Sequence, residues 1–152
     1  MFLLVLVLLL AQQPTDKKPD TEMNHRGEQG MGFSQEANTH HFLLRPDGGS
    51  IEVESNAQES DAQASVRMHL QHITHAFQSG DFDIPMFVHD TVPPGVPEMK
   101  RLRAKITYTY EETKNGGHVV IKTQDKEALA AIHKFLIFQI QEHKTGDPTG
   151  EK

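Results

Sequence analysis

The chain of 152 residues contains no cysteine. No disulfide can staple it, no thiolate can serve as nucleophile or metal ligand, and no lipid-anchoring cysteine follows the N-terminal apolar segment. It also lacks a basic excess. Fifteen Lys and Arg stand against 21 Asp and Glu, a formal net charge of −6. A nucleic-acid face needs the opposite balance, as does docking on anionic lipid. The one basic cluster, Lys100-Arg-Leu-Arg-Ala-Lys105, reads as a solvated turn guarding the next strand. Familiar catalytic motifs are missing too: no Gly-x-Ser-x-Gly elbow, no His-Glu-x-x-His, no phosphate-binding loop and no dinucleotide glycine pattern. An acid–base pair such as His69 with Asp81 or Asp83 is conceivable, but nothing selects it, and the balance is against an enzyme.

What the chain does have is ten histidines and six methionines. Imidazole and thioether ligands without thiols suit metal handling in an oxidising compartment. The N-terminal run Met1-Phe-Leu-Leu-Val-Leu-Val-Leu-Leu-Leu-Ala11 fits that setting. Its apolar stretch of about ten residues matches the core of an export signal and falls short of the roughly 20 that a membrane span requires. The expectation is a signal peptide over 1–11 and a periplasmic or secreted mature chain without an integral membrane segment. The usual cationic start is missing, which a start upstream of Met1 would account for.

Residues 12–30 carry almost no apolar side chains and are expected to form a disordered leader. A single domain is expected over 31–147, with a short tail at 148–152. His41–Arg45 and Ile51–Ser55 flank Pro46-Asp-Gly-Gly-Ser50, and alternation at Ile51 and Val53 predicts a β-hairpin. Apolar residues at helical spacing predict a helix over 61–79, stopped by Gly80. The plan then repeats: a second hairpin around Asn115-Gly-Gly117 and a helix over 126–144, stopped by Gly146. Punctuation matches as well, Asp47-Gly-Gly49 with Asn115-Gly-Gly117 and Ser79-Gly-Asp81 with Thr145-Gly-Asp147. The predicted fold class is α+β: two ββα units joined in a four-stranded antiparallel sheet with two helices on one face. Residues 81–98, rich in proline, are expected to be a stiff and functional loop, with Pro97 opening a short helical turn.

Candidate metal ligands follow from this frame. Met68, His72 and His75 fall on one stripe of the first long helix, with His69 beside them on its inner face. His40 and His41 start the first strand, where neighbours point to opposite faces, so at most one of them joins a given site. Met86 and His89 sit in the stiff connection, and His133 lies on the inner face of the second helix. Under two-fold symmetry His69 and His133 would approach each other or line one central pocket between helices and loop; otherwise they are two unrelated histidines, each satisfied by a local hydrogen bond. Met31 and Met99 are further thioethers, although methionine often fills core gaps. His143 is assigned to the dipole of its helix C-terminus, and His25 and His118 to solvent.

Several stretches together resemble a family of uncharacterised exported bacterial proteins: Met31-Gly-Phe-Ser-Gln35, Thr39-His-His-Phe42, Gly80-Asp-Phe-Asp-Ile-Pro-Met-Phe-Val-His-Asp90, Pro93-Pro-Gly-Val-Pro97, Ala131-Ile-His-Lys-Phe-Leu136 and Phe138-Gln-Ile-Gln-Glu-His-Lys-Thr-Gly-Asp147. Similar sequences sometimes carry the label aspartate carbamoyltransferase. That enzyme family binds carbamoyl phosphate through a Ser-Thr-Arg-Thr-type motif, and this chain has none. The resemblance implies export and a neighbourhood of metal-resistance functions, and supplies no catalytic residues. Two functional classes stay open. One is an exported protein that binds a transition metal, copper foremost, through His and Met. The other is a periplasmic module that binds a small molecule or a protein, with the histidines incidental.

Overall fold

Alternation of apolar and polar residues builds the sheet, and two tight connections close its hairpins. The computed structural model describes residues 19–150. The expected signal peptide, the leader residues 12–18 and the tail residues 151–152 lie outside the described residues. The order is α1 (Pro19–Met31), β1 (Asn38–Arg45), β2 (Gly48–Ser55), α2 (Ser60–Ser79), α3 (Asp83–His89), α4 (Val96–Arg101), a 3-10 turn (Arg103–Lys105), β3 (Ile106–Glu112), β4 (Gly116–Thr123) and α5 (Lys126–His143). The four strands form one antiparallel sheet in the order β1-β2-β4-β3. The fold is α+β, with α2 and α5 packed on the sheet.

The face beneath the helices carries Phe42 and Leu44 from β1, Ile51 and Val53 from β2, Val119 and Ile121 from β4, and Ile106 and Tyr108 from β3, all buried. From the helices come Val66, Leu70, Ile73 and Phe77 of α2, and Ile132, Phe135, Leu136 and Ile140 of α5. Both sets recur at three- and four-residue spacing, so each helix buries one stripe. Helix α2 ends as its Gly80 requires. This residue adopts φ 86°. Its N–H donates to Phe77 O and that of Asp81 to Ala76 O, which satisfies carbonyls a helix end would otherwise leave open.

The two halves are related through the central strand pair. Ile51 faces Val119, and the register is unchanged when the halves are exchanged: Gly49 opposite Ile121 corresponds to Val53 opposite Gly117. The outer hairpins agree, His40 facing Val53 as Tyr108 faces Ile121. In the helices, buried Val66, Leu70, Ile73 and Thr74 correspond to buried Ile132, Leu136, Gln139 and Ile140.

Two segments depart from expectation. The presumed leader is helical from Pro19 onward. Helix α1 buries Met23, lays Gly30 against Phe87 and Val88, and donates Arg26 Nε to Val88 O at 2.9 Å. Close packing of small residues on α3 holds it, and a count of apolar side chains does not register that. The stiff connection after α2 is also mostly helical, holding α3 and α4. Gly95, at φ 88°, lets α4 start where a Cβ would overlap the Ala131 carbonyl of α5.

Candidate functional site

Helix α3, packed mainly on α1, turns Ile84, Pro85, Val88 and His89 toward residues of α2, α5 and β1. Behind it lies a cavity of about 60 Å³. Most of its wall is apolar, including Phe42, Ile51, Val53, Leu70, Ile73 and Phe135. Four imidazoles interrupt that wall: His40 of β1, His69 of α2, His89 of α3 and His143 of α5. The thioether residue Met31, at the end of α1, lines it too.

The rings are in mutual contact. His40 and His143 lie nearly parallel with centres 5.9 Å apart, and His89 meets His143 edge-on at 5.0 Å. Phe33 bridges the remaining gap, 6.3 Å from His40 and 5.4 Å from His69. Gln139 orients two of the rings. Its Oε1 accepts from His89 Nε2 at 3.0 Å and from His143 Nε2 at 3.2 Å. Both rings therefore carry their proton on Nε2, which leaves each Nδ1 as a bare lone pair. Those Nδ1 atoms, His40 Nε2 and the Gln139 amide nitrogen are shut off from solvent and have no hydrogen-bond partner, the His89 Nδ1 lying 3.9 Å from Glu142 Oε2. The other ring nitrogen of His40 bonds the Asn38 backbone.

Desolvation decides the charge of this cluster, in which His89 is buried and His40, His69 and His143 are half-buried. Desolvation brings His40 and His69 down from 6.5 to about 4, with neighbouring imidazoles lowering them further. His143 falls to about 3, again through burial and then through His89 and His40. His89 is lowered by burial, against a raising contribution from Gln139 and Glu142. At neutral pH the cavity thus presents neutral imidazoles, the form that donates a lone pair to a metal or accepts a hydrogen bond.

The remaining sequence candidates lie elsewhere. Met68, His72 and His75 are exposed on α2, Met68 at 68%. His41 turns to the opposite sheet face, as strand alternation requires, and pairs with Asp147 at 2.9 Å. His133 hydrogen-bonds the Arg45 and Gly48 carbonyls, both at 3.0 Å, and does not line the cavity. His69 and His133 share no cavity among those they line, and the counterpart of His69 under the internal repeat is Phe135. Met86 packs beside the core, its sulfur 3.9 Å from Lys100 Nζ. Met99 is core packing.

Sequence reasoning missed His143 and Gln139. The signal that finds them is the internal repeat. Aligning Thr145-Gly-Asp147 on Ser79-Gly-Asp81 lays His143 over Phe77 and Gln139 over Ile73, both core positions. The same alignment lays His69 over Phe135, and the hairpin register lays His40 over Tyr108. Phe77, Tyr108 and Phe135 form an aromatic cluster in the core, Phe77 lying 5.9 Å from Tyr108 and 6.0 Å from Phe135. One half thus packs aromatic rings where the other holds imidazoles.

Among the described residues no three His, Asp or Glu side chains converge on a point that an ion could occupy. The ring spacing nevertheless suits one. Two imidazoles bound at about 2.0–2.1 Å to a tetrahedral ion have ring centres about 5 Å apart. The 5.0 and 5.9 Å separations of the present rings lie near that value. No protein family, curated protein or solved structure matches the chain.

Proposed function

We propose that the chain is an exported binding protein that holds one transition-metal ion, copper foremost, in the cavity formed by His40, His69, His89, His143 and Met31. The observation that carries this is the set of buried, unpartnered imidazole nitrogens around one cavity. An unsatisfied buried polar atom costs about 1–3 kcal/mol, and the related half of the same domain places Phe77 and Phe135, which carry no such atom, where His143 and His69 stand, with only the Tyr108 hydroxyl left unpartnered at the counterpart of His40. Neutral imidazoles and a thioether without thiolate favour copper over zinc. Gln139 acts as ligand-orienting groups do, fixing the tautomer of His89 and His143 by accepting from Nε2 and leaving Nδ1 as the donor atom. The size is suitable: a water-sized sphere takes about 10–15 Å³, so the cavity admits an ion with a bound water and no large cofactor. Export is supported by the Phe2–Ala11 run and by the family resemblance. Among the described residues no helix is long and apolar enough to cross a membrane.

Titration calorimetry with Cu(II) and Zn(II) tests this. The expected result is one ion per chain, copper tighter than zinc, with binding abolished in His40→Ala, His143→Ala. Heats no larger than those of a surface histidine pair, or binding that survives the double substitution, would defeat it. The apolar wall and the lack of present convergence favour a second reading, in which a metal-free ligand of a few heavy atoms donates hydrogen bonds to the imidazoles.

A further inference from the structure

The imidazole cavity is not the only depression lined by His69. Outside it, on the surface between α1 and α2, lies a shallow hollow of about 210 Å³ bounded by Gly30, Met31, Met68, His69, His72 and Ile84. Met31, His69 and Ile84 also line the inner cavity. These three side chains line both spaces and stand between them. On the solvent side, Met68 and His72 are exposed and stand four residues apart on α2, one above the other. On the inner side are His40, His89 and His143.

We infer that this hollow is the loading port of the cavity, with Met68 and His72 as the outer ligand pair for an incoming soft metal ion and Met31 and His69 as the partition it crosses. The inference rests on the metal reading above. Its chemistry is ligand exchange: an ion held by one outer thioether and one outer imidazole passes to His69 as an outer bond breaks, then to the inner rings. Thioether ligands select Cu(I), so that is the ion the port fits best. The partition is built to yield. Met31 is an unbranched side chain at the last position of α1, a helix that packs mainly on α3. Directly after it, Gly32 sits at φ 79° with open space where a Cβ would stand. An exposed methionine at 68% is otherwise unexplained on a helix whose buried stripe lies on the other side.

A port and a binding site have different kinetic consequences. Residues of a port change loading and release by the same factor and leave the equilibrium untouched. Residues of the holding site change the equilibrium. The test is anaerobic stopped-flow loading of Cu(I) into the full chain, paired with a chelator competition for equilibrium affinity, on the wild type and on Met68→Ala, His72→Ala. Both side chains are exposed, so the fold tolerates their loss, and circular dichroism checks this. The expected result is loading and release both slowed about tenfold or more, with stoichiometry and affinity unchanged. A loading rate within about twofold of wild type overturns the port and leaves the holding site standing. Affinity falling in step with the rate overturns it too, by placing the pair in the holding site. A wild type that takes up no copper removes both proposals together.

Discussion

His40 and His143 face each other across the gap between β1 and α5 with ring centres 5.9 Å apart, and their counterparts Tyr108 and Phe77 face each other across the gap between β3 and α2 at the same 5.9 Å. The framework that brings two aromatic rings together in one half brings two imidazoles together in the other. Polar rings at a core position cost stability, which is what the proposed binding role would offset.

Replacing a site histidine by its counterpart should therefore stabilise the protein in acid. His69→Phe keeps a ring against Phe33 and removes one half-buried titratable group. With a folded value of about 4 against 6.5 unfolded, the neutral His69 costs the wild type about 2 kcal/mol at pH 5. Urea unfolding at pH 5 should show the variant more stable by about that amount, with a smaller difference at pH 7.5. A variant less stable at both values would contradict the argument.

Stability of the metal-free wild type should itself depend on pH in a defined window. His40, His69 and His143 have folded values lowered to about 4, 4 and 3. Their unfolded forms bind protons first. The stability is thus fully present above 6.5 and is lost as pH falls, at about 1.4 kcal/mol per unit for each ring, until the folded values are reached. Denaturant titrations at pH 7.5, 6 and 5 should show the midpoint dropping steeply. Asp125 and Asp147, whose carboxyls are held below the usual range, act only at more acidic pH. An unchanged midpoint down to pH 5 would mean that the rings are solvated.

Gln139 should matter beyond its own bulk. Gln139→Leu keeps side-chain volume but leaves the Nε2–H groups of His89 and His143 without an acceptor. The expected cost is about 1–3 kcal/mol per buried donor. Copper affinity should fall about 10- to 100-fold, the usual effect of removing a group that orients a ligand. Loss of stability with copper affinity intact would show that the rings do not hold the ion.

Much of the fold was legible because periodicity and glycine punctuation agree. Ile51 and Val53 alternate, Val66 to Phe77 recur with helical period, and Gly80 stops α2 where its left-handed φ is needed. The helices α1 and α3 were not legible. Gly27 and Gly30 contribute packing through the absence of a side chain, and the prolines around Pro85 suggest a loop. The site was half legible. Residue type singles out His40, His69 and His89, but only the tertiary arrangement separates them from His72 and His75, which share a helix with His69 yet face solvent. His143 looks like a helix-end cap when read alone. It becomes a core position only when the second half is laid over the first.

A smaller feature ties the C-terminal segment to the site. Asp147 accepts from the Phe42 N–H at 3.0 Å, from His41 Nδ1 and from the Thr145 hydroxyl, stitching the segment after His143 to the strand that carries His40. Asp147→Ala should cost about 1–2 kcal/mol and speed amide exchange at Phe42, while exchange at Ile121 in the sheet centre stays slow. Equal acceleration at both amides would show the stitch to be global rather than local.

The central claim is that one ion is held by the cavity-lining imidazoles, buried His89 and half-buried His40, His69 and His143, rather than by the exposed ones. Nitrogen-15 resonances of all the histidine rings, followed during copper titration in the diamagnetic Cu(I) state, report this directly. The account predicts that at one equivalent the Nδ1 signals of His89 and His143 and the Nε2 signal of His40 shift by the large amounts that accompany ligation, with His41, His72, His75 and His133 unmoved. Shifts confined to His72 and His75, or no shift at any cavity-lining ring, would contradict it.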